Sequence, residues 1–220
     1  MLIMEKLVKE LDHLCSIPEY SFYDGAFVLR DECHGFSYPI EIVKASENEV
    51  VARLPFLKYR NVDPQMIFGE LKSEIAKNFP ADPTNIDYSN PRKLSHMHLR
   101  MPHHNEQKCY ENMGYFCSLK TGGDKLVVSI DQIDVDLYTD LPYNMFYSFL
   151  FATLMAHLGK MKLAGCVLDF QSCYLRKEDL PKVGKILGEE ILLDECRIVI
   201  KKPFSRLDDA SLANLEIVIS

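Results

Sequence analysis

One cysteine has basic neighbours that could make it reactive. Cys109 follows Lys108 directly and lies shortly after His103 and His104. Nearby positive charge lowers the pKa of a thiol and raises the fraction of nucleophilic thiolate. Cysteine is also common as a small buried apolar residue, which is the alternative here. The sequence therefore makes Cys109 a candidate nucleophile and leaves both interpretations open.

A glutamate lies beside an apolar stripe with helical spacing. Ile67, Leu71 and Ile75 recur at every fourth residue, which predicts a helix with one buried face. Glu70 lies next to this stripe and could relay protons through water if it faces a cavity. The alternative is a solvated glutamate on the outer face of the helix. We expect Glu70 to turn inward.

Two clusters of polar side chains raise the question of a metal site. Asp134, Asp136 and Asp140 could bind a cation or simply be exposed. Residues 96–104 contain four histidines, two of them as His-x-His, which puts both rings on one face of a strand. No carboxylate or thiol is fixed beside these rings by spacing. We therefore expect solvated loop histidines and no metal.

The hydrophobic pattern predicts the elements that position these residues. Helices are predicted at 2–14, from Pro64 to about Phe79 with Asp63 as the cap, and at 142–158. Strands are predicted at 26–29, 36–43, 49–54, 166–170, 197–200 and 215–219, with a β-hairpin over 115–130. Strand clusters interrupted by a few long helices indicate an α+β fold in a single domain over 1–220.

Composition and charge limit the kinds of partner. The chain has 220 residues, 47% of them hydrophobic, and a formal net charge of −7. This acidic balance argues against nucleic-acid binding but not against a local basic pocket for one phosphate. A run of about 18 apolar residues and a secretory signal are both absent from the sequence, so we expect no membrane association. Seven cysteines without a C-x-x-C pair predict free thiols and a cytoplasmic location.

Four strings, in order along nearly the whole chain, resemble the thymidylate synthase and pyrimidine hydroxymethylase family. They are residues 54–57 with Glu70 and Leu71, then Arg92 and Lys93 after a Pro/Asn loop, then Gln132 and Asp136 ahead of Leu-Pro-Tyr-Asn at 141–144, and residues 169–180. The resemblance implies a three-layer α/β sandwich with a large mixed twisted sheet. It also implies a homodimer in which the sheets of two copies pack together.

The resemblance implies a reaction and a role for each matching residue. The reaction is methyl or hydroxymethyl transfer from 5,10-methylenetetrahydrofolate to C5 of a pyrimidine nucleotide, with Glu70 and Cys109 as catalytic residues. The implied substrate-binding residues are Arg92, Lys93, Gln132, Asp136, Asn144 and Tyr174. Asn144 would read the base edge, and its alternative role is the N-cap of the helix that follows. Arg92 and Lys93 would bind phosphate across the dimer, or are exposed loop cations.

Several family elements are missing from this sequence. No Pro-Cys-His string exists: an ungapped alignment puts Met113 at the nucleophile position, and a longer hairpin puts Cys109 there. Ile133 and Asp134 replace the family's arginine and serine, and Asp134 would repel a nearby phosphate by about 1 kcal/mol or more. Tyr174 matches the family's tyrosine only after a one-residue slip.

These departures leave three hypotheses open. The chain could be an enzyme acting on a variant substrate, or a catalytically inactive relative that serves as a dimeric binding or interaction protein. It could also be an unrelated α+β domain whose strings match by chance.

Overall fold

The computed structural model describes residues 26–29, 36–55, 57–58, 60–78, 97–99, 115–122, 124–136, 138–176, 179, 182, 193–205 and 209–220. These residues include two helices, α1 (Pro64–Asn78) and α2 (Leu141–Leu158). The strands are β1 (Ala26–Leu29), β2 (Phe36–Ala45), β3 (Glu49–Pro55), β4 (Met97–Leu99), β5 (Tyr115–Gly122), β6 (Lys125–Asp136), β7 (Lys162–Arg176), β8 (Leu193–Ile200) and β9 (Leu215–Ile219).

The strands form one nine-stranded mixed sheet in the order β4-β5-β6-β7-β2-β3-β8-β9, with β1 paired to β7 outside this path. The β6–β7 pair is parallel, and the other pairs are antiparallel. One edge of the long strand β7 pairs with β6, while its other edge is shared by β2 and β1. The described chain is therefore a mixed α/β structure built around a mixed sheet.

The parallel pair explains where helix α2 lies. Parallel neighbours need a crossover connection, and α2 is the helix in the segment between β6 and β7. Alternate residues of both strands face this helix: Ile130 of β6 and Cys166 and Leu168 of β7 are fully buried. The Cys166 thiol lies 3.8 Å from the carbonyl oxygen of Ser148 in α2. Cys166 therefore belongs to the core.

Helix α2 is the centre of the core. All of its residues except His157 are buried, which is expected of a helix that is apolar on every side. It packs against β3, β6, β7 and helix α1. The predicted helix at 142–158 is therefore present and lies at the centre of the core.

Most predicted elements are present with shifted ends. Strands β1 and β9 have the predicted bounds, and α1 begins at Pro64 as predicted, with Asp63 Oδ1 accepting a hydrogen bond from Gln65 N at 2.9 Å. Strand β7 is much longer than the predicted 166–170, because its partners hold both of its edges. The predicted helix at 2–14 and the Pro/Asn loop before Arg92 lie outside the described residues.

Two expectations about the whole chain have different outcomes. The mixed sheet with its helices agrees with the predicted α+β class, whereas the three-layer sandwich of the thymidylate synthase family stays a prediction. In the part of the chain that the structure describes, no helix is long and apolar enough to cross a membrane.

Candidate functional site

A buried aspartate fixes the turn between β6 and α2. Asp136 is the last residue of β6 and is fully buried. Its Oδ1 atom accepts hydrogen bonds from the backbone N–H groups of Tyr138 at 2.9 Å and Thr139 at 3.1 Å. Its carbonyl oxygen accepts a third from Asp140 N at 2.9 Å. These bonds set the position at which the helix begins, so Asp136 orients its surroundings.

Two of the predicted site residues meet at this junction. Gln132 continues the helix-facing side of β6, and Asn144 lies one turn inside α2. Asn144 Nδ2 donates a hydrogen bond to Gln132 Oε1 at 3.2 Å. Gln132 is 0% exposed and Asn144 is 3% exposed, so this amide pair is removed from bulk water. The pair is a buried neutral polar contact at the junction and can present directional donors and acceptors.

The alternative role of Asn144 as an N-cap is wrong. The cap position belongs to Asp140, whose carbonyl oxygen accepts the first hydrogen bond of the helix from Asn144 N at 2.8 Å. A residue at that depth cannot reach the free N–H groups at the helix start. The Asn144 side chain points instead at strand β6.

Glu70 lies on the helix that packs against α2. Ile67, Phe68 and Leu71 form the buried face of α1, with exposures of 0%, 5% and 0%. Glu70 flanks this face and is partly buried, and its Oε2 atom is shielded from solvent. The glutamate is thus more enclosed than an ordinary outer-face residue, and α1 packs on the same helix that carries Asn144.

The remaining predicted site residues cannot be placed fully. Cys109, Arg92 and Lys93 lie outside the described residues. Tyr174 is described only as a backbone position in β7, where it pairs with Asp136 across the parallel ladder. The structure thus brings Gln132, Asn144 and Asp136 together with the backbone of Tyr174.

Sequence reasoning missed a cluster of charged side chains around Tyr138. The guanidinium carbon of Arg60 lies 4.3 Å from the centroid of the Tyr138 ring, and Lys182 Nζ lies 5.2 Å from it. Lys182 also forms an ion pair with the buried Asp179, with an N–O distance of 2.5 Å. These residues come from separate segments, so no spacing rule joins them. The only signal was Tyr138 itself, which lies between the predicted Asp136 and α2.

A cavity lies at the other end of α2. The cavity, of about 310 Å³, is lined by Glu47, His157, Lys160, Phe204 and their neighbours. His157 Nε2 accepts a hydrogen bond from Phe204 N at 3.3 Å, and the two rings lie 4.6 Å apart. Burial lowers the pKa of His157 below its usual 6.5, and contacts with the backbone of Phe204 and Glu47 oppose the shift.

No protein-family model matches the chain, and no curated protein matches it. Within the described ranges, no group of three or more His, Cys, Asp or Glu residues could hold a metal ion. The function is therefore inferred from the contacts of this chain and from the strings that resemble the thymidylate synthase family.

Proposed function

We propose that the chain is a divergent thymidylate synthase-like protein that binds a pyrimidine nucleotide or a related small molecule at the β6–α2 junction. The observation that supports this proposal is the buried hydrogen bond between Gln132 and Asn144. In the resembling family, the residue matching Asn144 reads the edge of the base. An amide offers both a donor and an acceptor, which suits the O4 and N3 edge of uracil.

The bond to Gln132 would orient Asn144 for this task. An asparagine amide has two N–H donors and one carbonyl acceptor, and the bond to Gln132 uses one donor. A fixed amide loses less conformational freedom when a ligand binds than a mobile one does. Gln132 then acts as a positioning residue for Asn144, and Asp136 holds the turn that carries the helix.

The chemical step is a separate proposal. One-carbon transfer would need Glu70 for proton relay and Cys109 as the thiolate that adds to C6 of the pyrimidine. The partly buried position of Glu70 on α1 supports the first role. Cofactor 5,10-methylenetetrahydrofolate would supply the carbon when bound.

The last strand of the sheet is held at its edge by backbone hydrogen bonds. Residues 215–219 form β9 at the edge of the sheet, and Ser220 exchanges two backbone hydrogen bonds with Glu195, at 3.0 and 2.8 Å. These residues are therefore occupied by strand pairing.

The second candidate function is that of a catalytically inactive relative that acts as a homodimeric binding or interaction protein. The sheet face opposite α2 supports it. Val127, Ser129, Val167 and Asp169 lie on that face and are only partly buried, and Ser129 Oγ donates a 2.6 Å hydrogen bond to Asp169 Oδ2. A second copy could bury this face, as the resemblance implies.

Ligand-induced stabilisation tests the binding proposal. Deoxyuridine 5′-monophosphate, deoxycytidine 5′-monophosphate and deoxyuridine are added separately to the wild type, to Asn144→Ala and to the control Asn48→Ala. Asn48 is exposed and lies in the turn between β2 and β3. A ligand at one hundred times its Kd stabilises by about 2.7 kcal/mol, which corresponds to a Tm rise of roughly 5–10 °C for a chain of this size. We expect this rise in the wild type and the control, and its loss in Asn144→Ala. No rise with any of the three compounds would refute the proposal.

Covalent trapping separates the two candidate functions. The wild type, Cys109→Ala and Glu70→Gln are incubated with 5-fluorodeoxyuridine 5′-monophosphate and 5,10-methylenetetrahydrofolate and then analysed by mass spectrometry. An enzyme should give an adduct that Cys109→Ala abolishes. Ligand binding without adduct or turnover, together with a dimer in sedimentation, would support the inactive relative.

A further inference from the structure

Two positively charged side chains, Arg60 and Lys182, lie near the ring of Tyr138. Arg60 Cζ lies 4.3 Å from the ring centroid, a distance typical of a guanidinium stacked on an aromatic face. Lys182 Nζ lies 5.2 Å from the same centroid. Two cations around one aromatic ring repel each other, so their presence together needs a compensating negative charge.

Among the described residues, only Lys182 has such a charge beside it. Lys182 forms its ion pair with Asp179, which is 4% exposed. Arg60, by contrast, forms no ion pair with any described residue, and its buried Nε atom has no hydrogen-bond acceptor among them. Buried donors nearly always have a partner in native proteins. Arg60 therefore has unused capacity to bind an anion.

We propose that Arg60, with Lys182 beside it, binds an oxyanion, and that this oxyanion is the phosphate of the ligand. Placing the phosphate on a pyrimidine ligand rests on the function proposed above. A planar guanidinium presents its N–H groups as a fork that matches two phosphate oxygens, whereas the lysine ammonium adds a point charge. Stacking on Tyr138 holds the plane of the fork. Arg60 and Tyr138 are both only partly buried, so a ligand can approach them.

The proposed oxyanion site belongs to the same junction as the amide pair. Tyr138 N donates to Asp136 Oδ1, the carboxylate that also fixes the start of α2. The aromatic platform and the helix that carries Asn144 are thus anchored on one side chain. In this proposal the base lies at Asn144 and the phosphate at Arg60.

Arg60 and Lys182 could also replace a phosphate-binding arginine that the sequence lacks. Ile133 stands where the resembling family has an arginine, so a phosphate at that place would lack its cation. Arg60 comes from the segment between β3 and α1, and Lys182 from the segment after β7. The two cations would supply the missing charge from different elements. An incoming phosphate would share Lys182 with Asp179.

Phosphate-dependent stabilisation tests the site without assuming the base. Tm is measured in sodium phosphate, sodium acetate and sodium chloride at equal ionic strength, for the wild type, Arg60→Gln, Lys182→Gln and the control Arg53→Gln. Arg53 is a matched arginine that pairs with Glu41 on the sheet. Phosphate should raise Tm in the wild type and in Arg53→Gln, and Arg60→Gln should lose at least about half of that rise because the fork is gone. Arg60→Lys should keep part of the phosphate-induced rise in Tm. This variant provides the comparison with the wild type if Arg60→Gln does not fold.

Calorimetry then links the site to the nucleotide. Arg60→Gln should weaken binding of deoxyuridine 5′-monophosphate by about tenfold or more, and change binding of deoxyuridine by less than about twofold. An equal loss for both compounds would overturn the assignment, since Arg60 would then act only on the fold. A wild type that does not respond to phosphate, or responds equally to acetate, would also overturn it. Phosphate binding through Arg60 without any nucleoside or nucleotide binding would refute the proposed function and leave the oxyanion site standing.

Discussion

Removing either amide of the Gln132–Asn144 pair should destabilise the protein by more than its own hydrogen bond is worth. Gln132→Met and Asn144→Leu preserve the approximate volume of each side chain but remove its polar atoms. Each change leaves the partner amide buried without the bond seen at 3.2 Å. The remaining amide cannot recover a bond from water because both positions are at most 3% exposed.

The expected size follows from this burial. Leaving a buried polar group unsatisfied costs about 1–3 kcal/mol. One kcal/mol corresponds to roughly 2–4 °C in Tm for a domain of 150–250 residues, so each single variant should lose about 2–12 °C. The double variant removes both ends of this hydrogen bond. Its loss should therefore be smaller than the sum of the two single losses, by about 1 kcal/mol.

The assay is a double-mutant cycle in urea and in thermal unfolding, with Thr153→Val as a control from the same helix. Thr153 is 2% exposed, and its hydroxyl donates to the carbonyl oxygen of Phe149 at 2.8 Å. That carbonyl lies within the helix and does not depend on the hydroxyl. Thr153→Val should cost less than about 1 kcal/mol and should add independently to either amide variant.

Additivity of the two amide variants within about 0.3 kcal/mol would refute the reasoning, because it would mean that the amides do not depend on each other. Equal unfolding free energies of the wild type and both single variants would refute it more directly. Either result would also remove the observation on which the proposed base recognition depends.

Three further predictions follow from the described contacts. Burial lowers the pKa of His157 below 6.5, so the unfolded chain binds a proton at this imidazole more tightly than the folded chain does. The stability present above about pH 6.5 should therefore fall as the pH drops below that value. His157→Gln keeps an acceptor for Phe204 N and should reduce the Tm loss between about pH 8 and pH 5. Cys196 is buried, and its pKa is raised to about 12 by burial and by Asp194, so iodoacetamide and peptide mapping should find it unmodified in the native protein and modified in urea. Asp136→Ala should lower the free energy of unfolding by about 2–4 kcal/mol, since two backbone donors lose their acceptor, whereas Asp136→Asn keeps an acceptor and should cost about half as much or less.

The local elements could be predicted because their signals are local. A long apolar segment after Pro142 predicts the central helix α2, and Asp63 and Pro64 predict the start of α1. The order of strands in the sheet could not be predicted in this way. Strand β7 pairs with β6 on one edge and with β1 and β2 on the other, and such partners are set by packing between distant segments.

The candidate site also has a part that could be predicted from the sequence and a part that could not. The expectation that Gln132 and Asn144 share one site came from the resemblance, and a strand that leads into a helix of the same crossover makes their contact possible. The cluster of Arg60 and Lys182 around Tyr138 has no counterpart in any spacing along the sequence, because each residue comes from a different element. Such clusters are determined by tertiary structure alone.

The polar residues of α2 do not all have the same explanation. Thr153 bonds to its own helix, so the helix alone accounts for its hydroxyl. Ser148 is fully buried, and its Oγ atom has no hydrogen-bond partner among the described residues. Asn144 needs Gln132 from another element, and replacing such a pair by apolar groups of the same shape is often neutral for stability. Stability alone therefore does not require an amide pair inside an otherwise apolar core. An amide held by such a bond is oriented to recognise a polar ligand edge, which agrees with the binding role proposed for the junction of β6 and α2.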